Sequence, residues 1–376
     1  MKEIKISESE GLSKDKSKSI FFRTLPKRVW LSVLIILLLA GIFFAYWVIS
    51  TNDLFQFLKN KSGFQFDEAT INLNDTPCPL DGVMTTKERA ERRPLGVMIE
   101  NHPSARPQTG LDKASFVFET PAEGGITRFL AFYVENDVEE IGPVRSARTY
   151  FIDWAREIKS VYAHCGGSVP AIDELSGINS SIICNINQFY YGSYFWRDKN
   201  RLAPHNLYTS TDKLREASFD KGCDQKGDYE GFNFKEDSAA ETRPESQIVT
   251  IDFSGPQYKV VYYYDKESNA YFREQGGEAH LDKASGAQLA PKTVLVMKTS
   301  RSLYYYSGVE LWKITTEGTG NAEAFMDGQR IVCTWRRNSL DDRTRFYDSS
   351  GQELIFNRGQ IWVEVVSPGM AVSVSP

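Results

Sequence analysis

Apolar residues fall into three spacing regimes along this chain. Residues 29–49 form one unbroken, uncharged run, VWLSVLIILLLAGIFFAYWVI, with Trp30, Tyr46 and Trp47 near its ends. A run of about twenty such residues spans a bilayer, and aromatic side chains at both interfaces fit that placement. Between residues 94 and 221 the apolar runs shorten, and most end in a polar cluster. Residues 95–99 precede Glu100-Asn101-His102-Pro103, residues 116–118 precede Glu119, and residues 161–163 precede His164-Cys165-Gly166-Gly167-Ser168. Together with residues 126–134 these runs predict strands. A helix is predicted at 146–159, where Tyr150, Phe151, Trp154, Ala155 and Ile158 recur at helical spacing behind a Gly142-Pro143 turn and a Ser146 N-cap. Further helices are predicted at 169–176, behind Ser168 and Pro170, and at 209–217. Beyond residue 245 the pattern is almost wholly strand-like, with runs at 248–253, 258–264, 270–273, 294–297, 304–306, 331–335, 344–347 and 361–365 between Gly, Asp and Ser turns.

This patterning gives an α+β fold class: an amino-terminal transmembrane helix (29–49), a mixed α/β extracytoplasmic domain (94–221) and a mostly β domain (245–376). Residues 1–28 are polar and lysine-rich and read as a cytoplasmic disordered tail. Residues 50–93 read as a linker or stalk with a short helical hint at 85–92. Residues 222–244, acidic and glycine-bearing, read as an exposed connection, and the β half beyond them is expected to close a core of its own. A cleaved signal peptide is the other reading of 29–49. The run is longer than a usual signal core, its end is bulky and no A-x-A site follows, so an uncleaved single-pass anchor is favoured. The first 28 residues hold eight Lys or Arg against four Asp or Glu, which places the amino terminus in the cytoplasm and the body outside the cell membrane.

The formal net charge of −5 over 376 residues becomes −9 on the body once the +4 of that tail is set aside. An acidic body argues against a nucleic-acid partner, because phosphate backbones need a broad basic face. The five cysteines, Cys78, Cys165, Cys184, Cys223 and Cys333, show no CxxC spacing. They signal neither a zinc site nor a disulfide framework, so no metal, no cofactor and at most one incidental bridge are expected. No lipobox-like triplet precedes Cys78, which argues against lipidation there.

Candidate chemistry gathers at the predicted strand ends, where open sheets hold ligands. Arg145 and Arg148 flank Ser146 at a helix start that already favours an anion, and guanidinium groups add forked donors for carboxylate or phosphate. The alternative for Arg148, on the edge of the apolar helix face, is a structural pair with Glu119 or Glu123. Gly166, Gly167 and Ser168 open a second such helix start, or form a turn that only connects two elements. Three of the four histidines, His102, His164 and His205, lie beside Pro or Gly turns in the same region, near Arg106 and Arg128. Arg145, Arg148, His164 and His205 are expected to converge in one pocket.

The segments Arg93-Pro94, Val97-Met-Ile, Asn101, Ala105-Arg-Pro-Gln108, Gly110-Leu111, Ala122-Glu-Gly124, Ile126-Thr-Arg128, Gly142-Pro-Val-Arg-Ser-Ala-Arg148, His164, Gly166-Gly-Ser168 and Ala203-Pro-His-Asn206 together resemble the YerB-like family of bacterial cell-envelope proteins, a two-domain family of unknown function. The β half, with its Asp-x-x-Gly turn at 348–354 and Gly359-Gln-Ile-Trp-Val363, looks like the family's carboxy-terminal domain. The resemblance implies an envelope location and a two-part ectodomain. It supplies no activity, and family members are usually lipoproteins, whereas this chain carries an apolar run in place of a lipobox.

Two functions remain open. One is a membrane-anchored extracytoplasmic binding or scaffold protein, whose Arg/His cleft holds an anionic group of a cell-wall precursor, a polymer or an envelope protein. Asn101, Arg106, Glu123, Arg128, Arg145, Ser146, Arg148, His164, Gly166, Gly167, Ser168, His205 and Asn206 would supply that cleft. The other is an envelope phosphoester hydrolase or transferase using His164 or His205 with Arg145 and Arg148. The absence of GxSxG, HExxH and P-loop patterns favours binding. A purely structural role for all these residues is a third reading.

Overall fold

In the computed structural model the described residues are 75–224 and 226–376; the predicted tail, the transmembrane run and the first part of the stalk lie outside them. Among the described residues no helix is long and apolar enough to cross a membrane. The body is a mixed α/β structure with few helices and a β-rich carboxy-terminal part.

Ten strands form its main sheet: β1 (Leu95–Glu100), β2 (Phe116–Pro121), β3 (Thr127–Tyr133), β4 (Val161–His164), β5 (Cys184–Asn187), β6 (Thr293–Lys298), β7 (Gly318–Met326), β8 (Gln329–Arg337), β9 (Arg345–Tyr347) and β10 (Ile361–Val366), in the order β9-β8-β7-β6-β10-β2-β3-β1-β4-β5. The pairs β6–β10, β10–β2, β1–β4 and β4–β5 are parallel, and β3 lies antiparallel between β1 and β2. With β8, antiparallel to β7 as β7 is to β6, seven strands therefore run the same way, and their carboxyl ends, including Glu100, Pro121, His164 and Asn187, share one edge.

Both faces of this sheet are covered, which is why its central strands are apolar throughout instead of alternating. Along β3 the side chains of Phe129, Ala131 and Tyr133 enter one core, while Leu130 and Phe132 enter another. The second of these cores is closed by the helices α1 (Thr149–Glu157) and α2 (Val169–Gly177), through Tyr150, Phe151, Trp154, Ala155, Ala171 and Leu175. The first is closed by α3 (Thr211–Asp220), through Leu214 and Ala217. A five-stranded antiparallel sheet, in the order Glu278–Ala279, Ala270–Gln275, Lys259–Asp265, Ile248–Asp252 and Ala371–Ser375, packs Val249, Ile251, Val260, Tyr262 and Tyr271 against Val294, Val296, Phe325 and Val366 of the main sheet.

Several boundaries differ from the sequence expectation. The β half closes one core of its own, between the five-stranded sheet and β6, β7 and β10, but its other face is shared, because β10 inserts beside β2 and Leu295, Met297, Ile361 and Val363 share one cluster with Phe116, Phe118 and Trp154. Residues 75–93 are not a stalk: Asp75–Pro77 pairs with Met84–Thr86, a single helical turn follows at Lys87–Ala90, and Cys78, Leu80 and Ala90 are buried. Within the expected connection, Asn233–Lys235 pairs with Ile355–Asn357, and Lys235 and Ser238 bond Asp327. The first helix starts at Thr149 with Arg148, not Ser146, at its N-cap position. The reason lies in the preceding backbone, where Arg145 N donates to Met98 O (2.8 Å) and Ala147 N to Gly166 O (2.9 Å), so 145–147 is held extended against strand ends.

Cys184 and Cys223 form a disulfide across a sequence separation of 39, tying the segment after α3 to the edge strand β5. Cys78, Cys165 and Cys333 are free. In the chain-entropy model a loop of this length is worth about 3–4 kcal/mol. Urea unfolding of a Cys184→Ser/Cys223→Ser protein should show a stability loss of about that size, and wild type under reducing conditions should match it; unchanged midpoints would mean the bridge contributes nothing.

Candidate functional site

The loop that leaves β1 is the hub of the carboxyl edge, because successive residues there face opposite ways. Glu100 forms an ion pair with Arg145, Nε to Oε1 3.2 Å, and lies 3.0 Å from His205 Nδ1. The His205 ring stacks on His102 at 4.6 Å. Asn101, fully buried, points to the other side: its Nδ2 donates to Glu119 Oε1 (3.2 Å) and Thr127 Oγ1 (2.6 Å), and its Oδ1 accepts from Arg106 Nε (3.0 Å) and Gln108 Nε2 (2.9 Å).

Beneath Asn101 runs a buried polar network that joins the two sheets. Arg273, with no exposed surface, donates to Glu119, to Tyr262 Oη (3.2 Å), to Gln275 Oε1 (3.3 Å) and to His280 Nδ1. His280 Nε2 then lies 2.9 Å from Gln108 Oε1. Burial, with the charges of Arg273 and Arg106, pushes the His280 pKa well down, so the ring is neutral, accepting on Nδ1 and donating from Nε2. Burial first, then the charge of Glu119, drives the Glu364 carboxyl well above its ordinary range. It therefore keeps its proton, and Arg273 faces a single carboxylate, Glu119.

Arg106 continues this network to the surface. Its Nη2 donates to Asn101 O (3.1 Å) and its guanidinium lies over the Tyr258 ring at 5.1 Å. Burial lowers its pKa. It lines a cavity of about 490 Å³ with Gln257, Gln275, Glu278 and His280. Nη1 has no acceptor among the described residues and comes up beside Gly276, where an added Cβ would lie 3.5 Å from it. Gln275 Nε2 is buried and also has no partner.

The other predicted site residues are committed to holding the edge together. Arg148 grips Glu123 through Nε (2.7 and 2.9 Å) and Nη2 (2.6 Å), the structural pair that the sequence allowed. Burial raises the Glu123 pKa, but Arg148 and Arg128 outweigh it and hold the carboxyl below its usual range. Arg128 donates to Ser146 O (2.9 Å), and burial, then Arg148, pushes its pKa down to about 10. His164 is buried with Gly166 O and Asn185 Oδ1 each 2.7 Å from a ring nitrogen, and burial lowers its pKa. Gly166, at φ +62°, faces the Phe189 ring, where a Cβ would stand 2.8 Å away. Gly167 pairs with Ala147, and Ser168 occupies the N-cap position of α2 without a side-chain cap bond. Asn206 bonds Asp198 O, Arg201 O and Arg197 Nη1, which closes the 197–206 loop.

The expected convergence is thus partial. Arg145 and His205 meet on Glu100, whereas Arg148 and His164 are partnered elsewhere along the same edge. Arg273, Gln275 and His280 were missed, although strict alternation over Ala270–Gln275 places Tyr271, Arg273 and Gln275 on one buried face. A charge on the core side of a strand was the available signal.

Comparison with known proteins follows the same division of the chain. Residues 80–224 match the profile described as "Protein of unknown function (DUF3048) N-terminal domain", and residues 249–363 match that of its C-terminal domain. The Bacillus subtilis (strain 168) protein YerB, which carries the name of a lipoprotein, is 33% identical over 299 residues, covering 79% of this chain and 88% of that protein. The crystal structure of YerB from Bacillus subtilis superposes with a TM-score of 0.72, covering 80% of this chain and 99% of that one.

The Arg273 network makes a quantitative expectation. Replacing Arg273 by Met leaves Glu119 buried without its cation and should cost about 3–5 kcal/mol. Adding Glu119→Gln to that variant should recover part of the loss in a double-mutant cycle read by urea unfolding. Simple additivity of the two losses would show that the pair does not act as a pair.

Proposed function

Because the chain belongs to the YerB-like family of unknown function, we propose that it is an envelope-associated binding protein that receives an anionic group of a cell-wall precursor, polymer or envelope partner in the Arg106 cavity. The lipoprotein name of the Bacillus relative supports an envelope location. In this chain the apolar run at 29–49 would supply the anchor, with the amino terminus inside and the body outside.

The observation that carries the reading is the contrast among the arginines. Arg145, Arg148 and Arg273 each have a carboxylate, while Arg106 has none at ion-pair distance among the described residues and turns an unused N–H toward a cavity. A half-buried cation without a counter-charge favours an anion, and its fork is already held by Asn101 and Tyr258. Gln275 Nε2 adds a second unsatisfied donor on the same wall. The hydrolase or transferase reading has less support, because His164 is buried with both nitrogens engaged and His205 is turned to Glu100.

The test is binding of phosphate- and carboxylate-bearing wall fragments to the detergent-solubilised full chain, comparing wild type with Arg106→Gln. Losing one charge-assisted contact should cost about 1.5–3 kcal/mol, or roughly 10- to 150-fold in affinity, with the unfolding midpoint little changed. Equal affinity in the two proteins would remove the Arg106 cavity from the function.

A further inference from the structure

At the opposite edge of the sheet, where β2 begins and β3 ends, three buried acidic groups meet. The turn Cys78-Pro-Leu-Asp81 brings Cys78 and Asp81 beside Glu135, which follows β3, and one ligand atom from each lies within 4.8 Å of the other two. All three residues are at least 96% buried. The turn is fixed by Cys78 N donating to Val83 O (2.9 Å), Gly82 N to Cys78 O (2.8 Å) and Gly359 N to Asp81 O (2.7 Å).

Among the described residues this cluster has no cation, a lack that of the other buried acids Asp282 shares, singly. Elsewhere in the body Glu100, Glu119, Glu157, Glu323 and Asp327, buried to a similar degree, each have an Arg or Lys at ion-pair distance. Among the described residues Asp81 and Glu135 have none. Arg89 passes close by but donates to the Glu135 carbonyl oxygen (2.7 Å) and to Asp137 (2.7 Å), leaving the Glu135 carboxylate to Ser115 Oγ (2.9 Å) and Asn136 Nδ2 (2.8 Å). Buried carboxylates are paired, protonated or bound to metal. A second observation points the same way: the Tyr229 hydroxyl is buried with no hydrogen-bond partner among the described residues, and Tyr229 packs against the core that holds Cys78 and Leu80.

We propose that Cys78, Asp81 and Glu135 form a closed structural site for a divalent cation of zinc's borderline softness, with the Tyr229 hydroxyl beside it. One sulfur donor with two carboxylates suits zinc and disfavours magnesium and calcium, which take oxygen alone. Each ligand binds in its deprotonated form, so an entering divalent ion displaces the thiol proton and any proton held on the two carboxyls, and those protons pass to solvent. Affinity therefore falls as pH falls. The site stands at the far edge from Arg106 and is independent of the function proposed above.

The experiment is metal analysis of the purified full chain, followed by zinc titration against a competing chelator and cadmium substitution read by the thiolate-to-metal absorption band. Wild type should hold one ion per chain, show the band and lose thermal stability on chelation. Cys78→Ser should lose the band, and Glu135→Gln should weaken zinc by more than the roughly 10–100-fold that loss of an outer-shell partner costs. Circular dichroism shows whether each variant is folded, and Asp81→Asn is a further variant should Glu135→Gln unfold. A wild-type protein that binds no metal would overturn the site in favour of a shared proton, as would zinc and cadmium binding that survives both Cys78→Ser and Asp81→Asn.

Discussion

The Arg273–Glu119 contact is the constraint on which the rest of the body depends. Arg273 belongs to the five-stranded sheet, Glu119 to β2 of the main sheet, and neither has any exposed surface. Desolvating two charges costs several kcal/mol each, so the pair stabilises only if its remaining donors and lone pairs are met. They are met by residues from every neighbouring element: Asn101 on Glu119, and Tyr262, Gln275 and His280 on Arg273. The protonated Glu364 completes the arrangement by removing what would be a surplus negative charge. A network of this kind adds little net stability over an apolar core but permits only one relative placement of the two sheets, which is the role best suited to a buried ion pair here.

That placement decides where the candidate site can be. Since β10 lies between β6 and β2, each sequence region leaves an unpaired strand edge if the other is removed, and the two complete one another. The cavity at the carboxyl edge inherits the same division. Pro103, Arg106 and Pro107 come from one region, and Gln257, Gln275, Glu278 and His280 from the other. Arg106 is thereby held by the first region through Asn101 and by the second through Tyr258, and a shift between the sheets would move it off one of the two.

Much of the fold was legible because the strands that carry it are buried on both faces. Runs such as 95–99, 116–118 and 361–365 contain too few polar residues to be anything exposed, and the observed strands extend them by one to three residues. Edge and hairpin strands were harder. Gly318–Met326 begins with Gly-Thr-Gly-Asn, and Cys184–Asn187 is only four residues, so neither shows a period long enough to read. Sequence placed the polar clusters at the strand ends correctly but could not assign their partners. Whether Arg148 meets Glu119 or Glu123 depends on which faces of β2 and the following turn look toward α1, and that is a tertiary fact. The contribution of the β half to the site was not legible at all, because no local pattern reveals that Arg273 and His280 are neighbours of Gln108 and Asn101, some 165 to 180 residues earlier in the chain.

The two edges of the main sheet differ in how they treat charge, and the difference explains their accessibility. At the carboxyl edge Arg145 and Arg148 each have a carboxylate, so Arg106, which has none at ion-pair distance among the described residues, stands out as a place where binding free energy is not already spent within the protein. At the amino edge the imbalance has the opposite sign, with two carboxyls and a thiol gathered where no side-chain cation among the described residues lies at ion-pair distance. Arg106 opens to a cavity, whereas Cys78, Asp81 and Glu135 are buried, with Cys78 in one apolar cluster with Leu80, Phe116 and Phe232. An uncompensated charge that faces solvent suits reversible recognition, and one sealed inside suits a partner acquired as the chain folds.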